Sequence, residues 1–439
     1  MTGPERSPDG VELIQGIPVT ELAGQYGTPF YAYDAGILTE TFDTLRELLP
    51  RRLEIFYSLK SNPNVAVCAL LAGRGARAEV SSLVELRTAL RAGVSPGDII
   101  FLGPGKSPEE LAACLETGVH SVVCESFGEI ATLDRLAHGL GVTAPVSLRV
   151  NPEFSVKGSG LTMGGKPRQF GIDEAQLLGR EDLAKQYPSV RLMGIHAYMG
   201  TRILDEEVVA RNTAYILDMA ERLSDRLGFP LDLVDVGGGL GVAYFAGERD
   251  LDPRRLAELT NPVFEAFARR HPGTRMIMEL GRYLTGRCGT YVVRVRDVKT
   301  SMDENFAVTD GGTHHHMAAV GIGSFVKRNF PVELLSRVSD DAVAAWNVTG
   351  PLCTPNDVLA KKAELPPLRP GDLLGVRRSG AYGPSASPVL FLSHGHPAEI
   401  VVHEGRSHLV RERDLPEDLM RKQRLPDFAR PETAEAAAL

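Results

Sequence analysis

Short apolar runs rich in Val, Ile and Leu alternate with longer amphipathic stretches along most of this chain. LEIFYSL (53–59) reads as a strand, and NVAVCALLAGRG (64–75) as a helix that ends at glycine. RAEV (77–80) follows as a strand and LVELRTALRAG (83–93) as a helix. The strand series continues through DIIFLG (98–103), SVVCES (121–126), PVSLRV (145–150), LMGIHAY (192–198), LDLVDVGGG (231–239) and MIMELG (276–281). Helical patterns such as NTAYILDMAERLSDRLG (212–228) lie between several of them. Strands this uniformly apolar are buried on both faces, as parallel strands covered by crossover helices are. The alternation predicts an α/β unit over 36–284, built as a (β/α)8 TIM barrel. An open doubly wound sheet has the same periodicity, so the pattern alone leaves both arrangements standing.

After Tyr283 the rhythm changes. GTYVVRVRDVKT (289–300), ENFAVTDGG (304–312), AAWNVTG (344–350), DLLGVRR (372–378) and PAEIVVHEG (397–405) read as strands without regular helices between them. They predict a second, mostly antiparallel β domain over 285–412, a β-barrel or β-sandwich. The strand-like PFYAYD (29–34) assigns 11–35 to that domain as an N-terminal contribution. Residues 1–10 read as a flexible tail, and 413–439, rich in charge and proline, as a weakly ordered end.

The bulk numbers narrow the class. With 43% hydrophobic and 24% charged residues, the chain has an ordinary soluble-enzyme composition. Its formal net charge of -8 gives no reason to expect nucleic acid or an anionic membrane as partner. No apolar run reaches the roughly 20 residues of a membrane helix. No basic run leads into an apolar stretch at the N-terminus, so no secretory signal is expected. The cysteines at 68, 114, 124, 288 and 353 are scattered and form no CxxC pair. Neither a disulfide scaffold nor a zinc site is indicated, and a reducing, cytoplasmic location is the expectation.

Chemistry gathers at predicted strand ends, where the loops of a barrel assemble a site. Lys60 closes its strand and precedes the turn Ser61-Asn62-Pro63. Its amine could simply snorkel to solvent. With neighbours that lower its pKa, it could form an imine with a carbonyl. Gly237-Gly238-Gly239 directly follows a strand, where unobstructed amides can cradle a phosphate. Glycines there also serve purely conformational ends, and the motif lacks the spacing of a dinucleotide or nucleotide loop. Glu279 and Arg282 suit either an internal ion pair or the binding of a protonated ring nitrogen and a phosphate. His196 ends a strand and Glu79 lies within one. His314-His315-His316 is a conspicuous cluster, but adjacent strand residues face opposite ways, so no metal site is expected. Cys353 could be an inert thiol or an acid-base group.

As a set, these motifs resemble the alanine-racemase-fold branch of pyridoxal-phosphate enzymes that includes diaminopimelate, ornithine and arginine decarboxylases. The resemblance rests on Tyr57-Ser58-Leu59-Lys60-Ser61-Asn62, His196, Gly237-Gly238-Gly239, Glu279-x-Gly281-Arg282, Cys353-x-x-x-Asp357 and Gly380-Ala381-Tyr382. It implies a barrel plus a β domain, bound pyridoxal 5'-phosphate, and a homodimer with active sites shared between subunits. It implies that Lys60 carries the cofactor as a Schiff base, with Glu79 nearby, and that His196 stacks on the ring. Glu279 would pair with the pyridine nitrogen. Gly237, Gly238, Gly239, Gly281, Arg282 and Tyr382 would hold the cofactor, chiefly its phosphate. Cys353, from the neighbouring subunit, would return a proton after carbon dioxide leaves. Thr354, Asp357 and His315 would line the substrate.

Some positions depart from the family pattern. The family's usual acid beside the cysteine is Thr354 here, in Cys-Thr-Pro-Asn-Asp. The usual His-x-Gly-Ser reads His196-Ala197-Tyr198-Met199-Gly200, and Thr313 and the histidines replace an arginine- and tyrosine-containing segment. Gly-Pro-Leu-Cys-Thr-Pro (350–355) and Gly-Ala-Tyr-Gly-Pro-Ser-Ala-Ser-Pro (380–388) resemble decarboxylases of specialised biosynthesis, such as antibiotic pathways. That branch includes enzymes acting on glutamyl groups tethered to an acyl carrier protein. Diaminopimelate decarboxylation in lysine biosynthesis, amino-acid racemisation and noncatalytic cofactor binding are the competing readings.

Overall fold

The computed structural model describes residues 5–153, 161–162, 165–181, 183–317 and 328–429. Residues 1–4 and 430–439 of the expected tails lie outside the described residues. Eight strands form a closed parallel ring: Leu53–Ser58, Arg77–Val80, Ile99–Phe101, Ser121–Cys124, Ala144–Asn151, Val190–His196, Leu233–Gly238 and Arg275–Leu280. Each pairs with the next in chain order. Arg275–Leu280 then pairs with Leu53–Ser58, and that last ladder makes a barrel of what could have been an open sheet.

Helices follow most barrel strands, and their starts are written locally. Ser82, Asp205 and Asp252 each accept backbone N–H bonds at the first turns of Leu83–Arg91, Glu206–Leu227 and Pro253–Arg270. Within the strands, the period of two sorts side chains into two environments. Ile55, Tyr57, Met276, Met278, Val234 and Val236 join the core beneath the helices. Phe56, Ile100, Val123, Met193, Leu233 and Ile277 form a separate buried cluster that fills the barrel interior. Two residues further along the same faces come Ser58, Asp235 and Glu279, all buried. The apolar plug is therefore the floor of a polar layer at the C-terminal end of the barrel, where this fold builds its sites.

A second sheet is mixed but mostly antiparallel. Gly289–Ser301 is its spine and pairs antiparallel with Phe30–Asp34, Glu304–Thr309 and Leu373–Val376. Phe30–Asp34 also pairs, in parallel, with Ala398–His403. Val358–Leu365 adds an edge strand beside Ala344–Thr349. Among the described residues, no helix is long and apolar enough to cross a membrane.

Candidate active site

Lys60 stands just past the end of its strand, in the short turn Leu59–Ser61, with its side chain 35% exposed. Its Nζ lies 3.1 Å from Glu79 Oε2, and Ser81 Oγ donates to Glu79 Oε1 at 2.9 Å. The lowered amine pKa expected from the sequence is not what the site produces: burial opposes the charged amine, but Glu79 and Glu279 outweigh it and hold the Lys60 pKa above its ordinary value. The ring facing this ammonium belongs to Tyr198, with Nζ 5.6 Å from its centroid. Burial pushes the Tyr198 phenol up to about 12 despite the nearby lysine, so it stays neutral.

His196, expected against a cofactor ring, is fully buried, and its Nε2 lies 3.3 Å from Glu279 Oε1. Among the described residues, neither Glu279 oxygen has a hydrogen-bond donor. Burial works against its charge, but His196 and Lys60 hold Glu279 below the usual carboxylate range.

The glycine run needs its glycines for backbone reasons. Gly237 and Gly239 have φ of 66° and 82°. A Cβ at Gly238 would strike the Glu279 carbonyl oxygen, and one at Gly239 the Gly200 carbonyl oxygen. At Gly281 a Cβ would lie 2.9 Å from that of Ser61, so this glycine lets two strand ends close together. Arg282 follows, with its guanidinium over the rings of Tyr382 (4.5 Å) and Tyr244 (5.6 Å), and its Nε has no partner among the described residues. The Tyr382 amide donates to the Ser61 carbonyl at 2.7 Å, and Asn62 Nδ2 to the Gly380 carbonyl at 3.1 Å. These bonds tie the Gly380-Ala381-Tyr382 segment to the lysine turn.

The family-model match and the relatives now bear on this geometry. Residues 36–286, more than half of the chain, match the model described as pyridoxal-dependent decarboxylase, pyridoxal binding domain. The chain belongs to the pyridoxal-dependent decarboxylases. It is a pyridoxal-phosphate-dependent amino-acid decarboxylase, which sets racemisation aside. The L-glutamyl-[BtrI acyl-carrier protein] decarboxylase of Niallia circulans is 36% identical over 409 residues, 92% of this chain and 96% of that protein. The diaminopimelate decarboxylase of Aquifex aeolicus is 30% identical over 407 residues, 92% of this chain and 94% of that one. The crystal structure of Helicobacter pylori diaminopimelate decarboxylase with L-lysine is 28% identical, with TM-score 0.82, covering 92% of this chain and 98% of that one.

The residues of this decarboxylase fit pyridoxal phosphate. They offer a lysine amine, a buried carboxylate with both oxygens unsatisfied, a glycine run with left-handed turns, and an arginine Nε without a partner.

Two expected substrate residues are otherwise engaged. Asp357 is buried, and its Oδ1 accepts from Thr313 N and Oγ1 while Oδ2 accepts from Leu352 N. It braces its own loop from a buried position, with each oxygen already accepting a bond within the protein. His315 Nδ1 lies 3.1 Å from the Tyr291 hydroxyl and Nε2 2.9 Å from the Gly395 carbonyl, so both ring nitrogens are occupied within the protein. His316 Nε2 pairs with Ser379 Oγ at 2.7 Å. Within the cluster it is His314 whose buried ring nitrogens have no hydrogen-bond partner. Cys353 is exposed and Thr354 half-buried on the loop that Asp357 holds.

Sequence reasoning passed over Tyr198 and Asp235. Each lies two residues from a chosen one, His196 and Gly237, and the period of two along a strand was the available signal.

Proposed function

We propose that this decarboxylase removes the α-carboxylate of a glutamyl-type group held on an acyl carrier protein, in specialised biosynthesis. The observation that carries this reading is the loop Cys353–Asp357. Its one acid is Asp357, and both oxygens of that carboxylate are bonded within the protein. Such a loop has no anion to receive the distal ammonium of diaminopimelate or ornithine. It suits a substrate whose far end is a neutral acyl link. Since the α-amine and α-carboxylate must be free to react, the link uses the side-chain carboxyl. The name of the relative from Niallia circulans supports the same substrate class.

Bound pyridoxal phosphate supplies an electron sink for the bond that loses carbon dioxide. Lys60 holds it through its amine, and Glu79 keeps the lysine oriented at the barrel mouth. Glu279 would face the pyridine nitrogen and favour its protonated form. Tyr198 and His196 would flank the ring, while Gly237–Gly239, Gly281, Arg282 and Tyr382 would hold the phosphate. Cys353 Sγ donates the proton that replaces the lost carboxylate. The exposure of Cys353 favours a homodimer in which Cys353 of the partner subunit completes each site.

Carbon dioxide release, measured with added cofactor, should come selectively from carrier-tethered glutamate. Free meso-diaminopimelate, ornithine and glutamate should be poor substrates. Efficient release from free diaminopimelate would overturn this reading in favour of lysine biosynthesis.

A further inference from the structure

Beside Glu279 lies a second buried acid that the mechanism above leaves unused. Asp235 points inward from its strand, in register with His196 on the next one. One polar side-chain atom from each of His196, Asp235 and Glu279 lies within 4.8 Å of the other two, and all three residues are buried. Asp235 Oδ1 accepts the Gly237 amide at 2.8 Å, whereas Oδ2 has no partner among the described residues.

The neighbouring side chains are already engaged. His196 lies against Glu279 and Lys60 against Glu79. Two carboxylates this close in a dry interior do not both ionise, because each charge raises the energy of the other. Burial, then the Glu279 charge, push Asp235 well above the usual carboxylate range, while Glu279 is held below it. The pair therefore titrates as one unit.

We propose that Asp235 works as a neutral carboxylic acid, donating a hydrogen bond from Oδ2 to Glu279 while its Oδ1 holds the Gly237 amide. It is a positioning residue. One side chain thereby orients the carboxylate that meets the cofactor ring and anchors the first glycine of the phosphate-binding turn. The proton is shared as a hydrogen bond and stays on Asp235. The inference goes beyond the substrate reading and is indifferent to which amino acid is decarboxylated.

Glu279 and His196 stand around Asp235, and the charge of Glu79 also acts on it. Its folded pKa lies above the unfolded value. The unfolded chain therefore ionises first, and stability falls as pH rises from the ordinary aspartate range toward the folded value. Asp235→Asn keeps a donor and an acceptor but has no proton to lose. Its stability relative to wild type should therefore rise with pH.

The test compares infrared spectra of the wild-type holoenzyme, with and without carbon-13 in its aspartate carboxyls, at neutral pH. Wild type should show a protonated-carboxyl band that moves with the label and is missing from Asp235→Asn. The cofactor dissociation constant, followed by absorbance, should change by no more than about threefold in Asp235→Asn and rise at least about tenfold in Asp235→Leu. The labelled wild-type spectrum does not depend on either variant folding. Absence of a label-sensitive band, or equal cofactor loss in both variants, would overturn the proposal.

Discussion

Glu85, one turn into the helix behind Glu79, illustrates how neighbours reset a side chain. Its Oε2 accepts the Ser81 amide at 2.7 Å, yet burial, and then the Glu79 charge, push its pKa up to about 7. An acid raised in this way favours the folded state only while protonated. Wild-type stability should fall as pH rises from the ordinary glutamate range through about 7, then level off. Glu85→Gln lacks that loss and keeps the Ser81 bond. Thermal unfolding between about pH 5 and pH 8 should therefore move in favour of the variant. A pH-independent difference would mean that Glu85 is ionised throughout. Identity alone was a poor guide at this scale. Lys60 and Glu279 were legible because each stands in a strand-end motif. The engagement of His315 and Asp357 was not, since their partners Tyr291, Thr313 and Gly395 lie far away along the chain.

The Cys353 loop is an element whose shape depends on one carboxylate. Gly312 and Gly350 both close on Asp357, and a Cβ on either would strike it. Asp357→Ala should leave the Thr313 and Leu352 amides unsatisfied and cost about 2–4 kcal/mol in denaturant unfolding. Asp357→Asn, with one acceptor oxygen left, should lose less. Equal losses would show that the loop does not depend on this acceptor pair. Among the other elements, the barrel strands followed their apolar runs closely. Val358–Leu365 escaped notice because Lys361 and Lys362 interrupt its pattern, and Lys362 breaks the strand conformation with φ of 51°. The long helix begins at Glu206, six residues before the stretch from 212, because Asp205 caps it and Glu206 is buried.

At the scale of the whole molecule, the proposed homodimer makes a sharp prediction. Lys60→Ala and Cys353→Ala each remove a different part of the site, and each variant alone should be nearly inactive. Mixed and allowed to exchange subunits, they should recover about a quarter of wild-type activity, because about half the dimers carry one intact site. No recovery would mean that each chain completes its own site.

The amino-acid order alone determined that parallel strands alternate with helices, that an antiparallel domain follows, and that a lysine, an acid and a glycine run stand at strand ends. Those features are local, because burial on one or both faces leaves its period in adjacent residues. Tertiary structure alone decided that the sheet closes, since the closing ladder joins Leu53–Ser58 to Arg275–Leu280. It also decided that His196, Asp235 and Glu279 meet and that Tyr198 faces Lys60. A strand's periodicity records which of its faces is buried, but not which distant strand supplies the neighbouring charge.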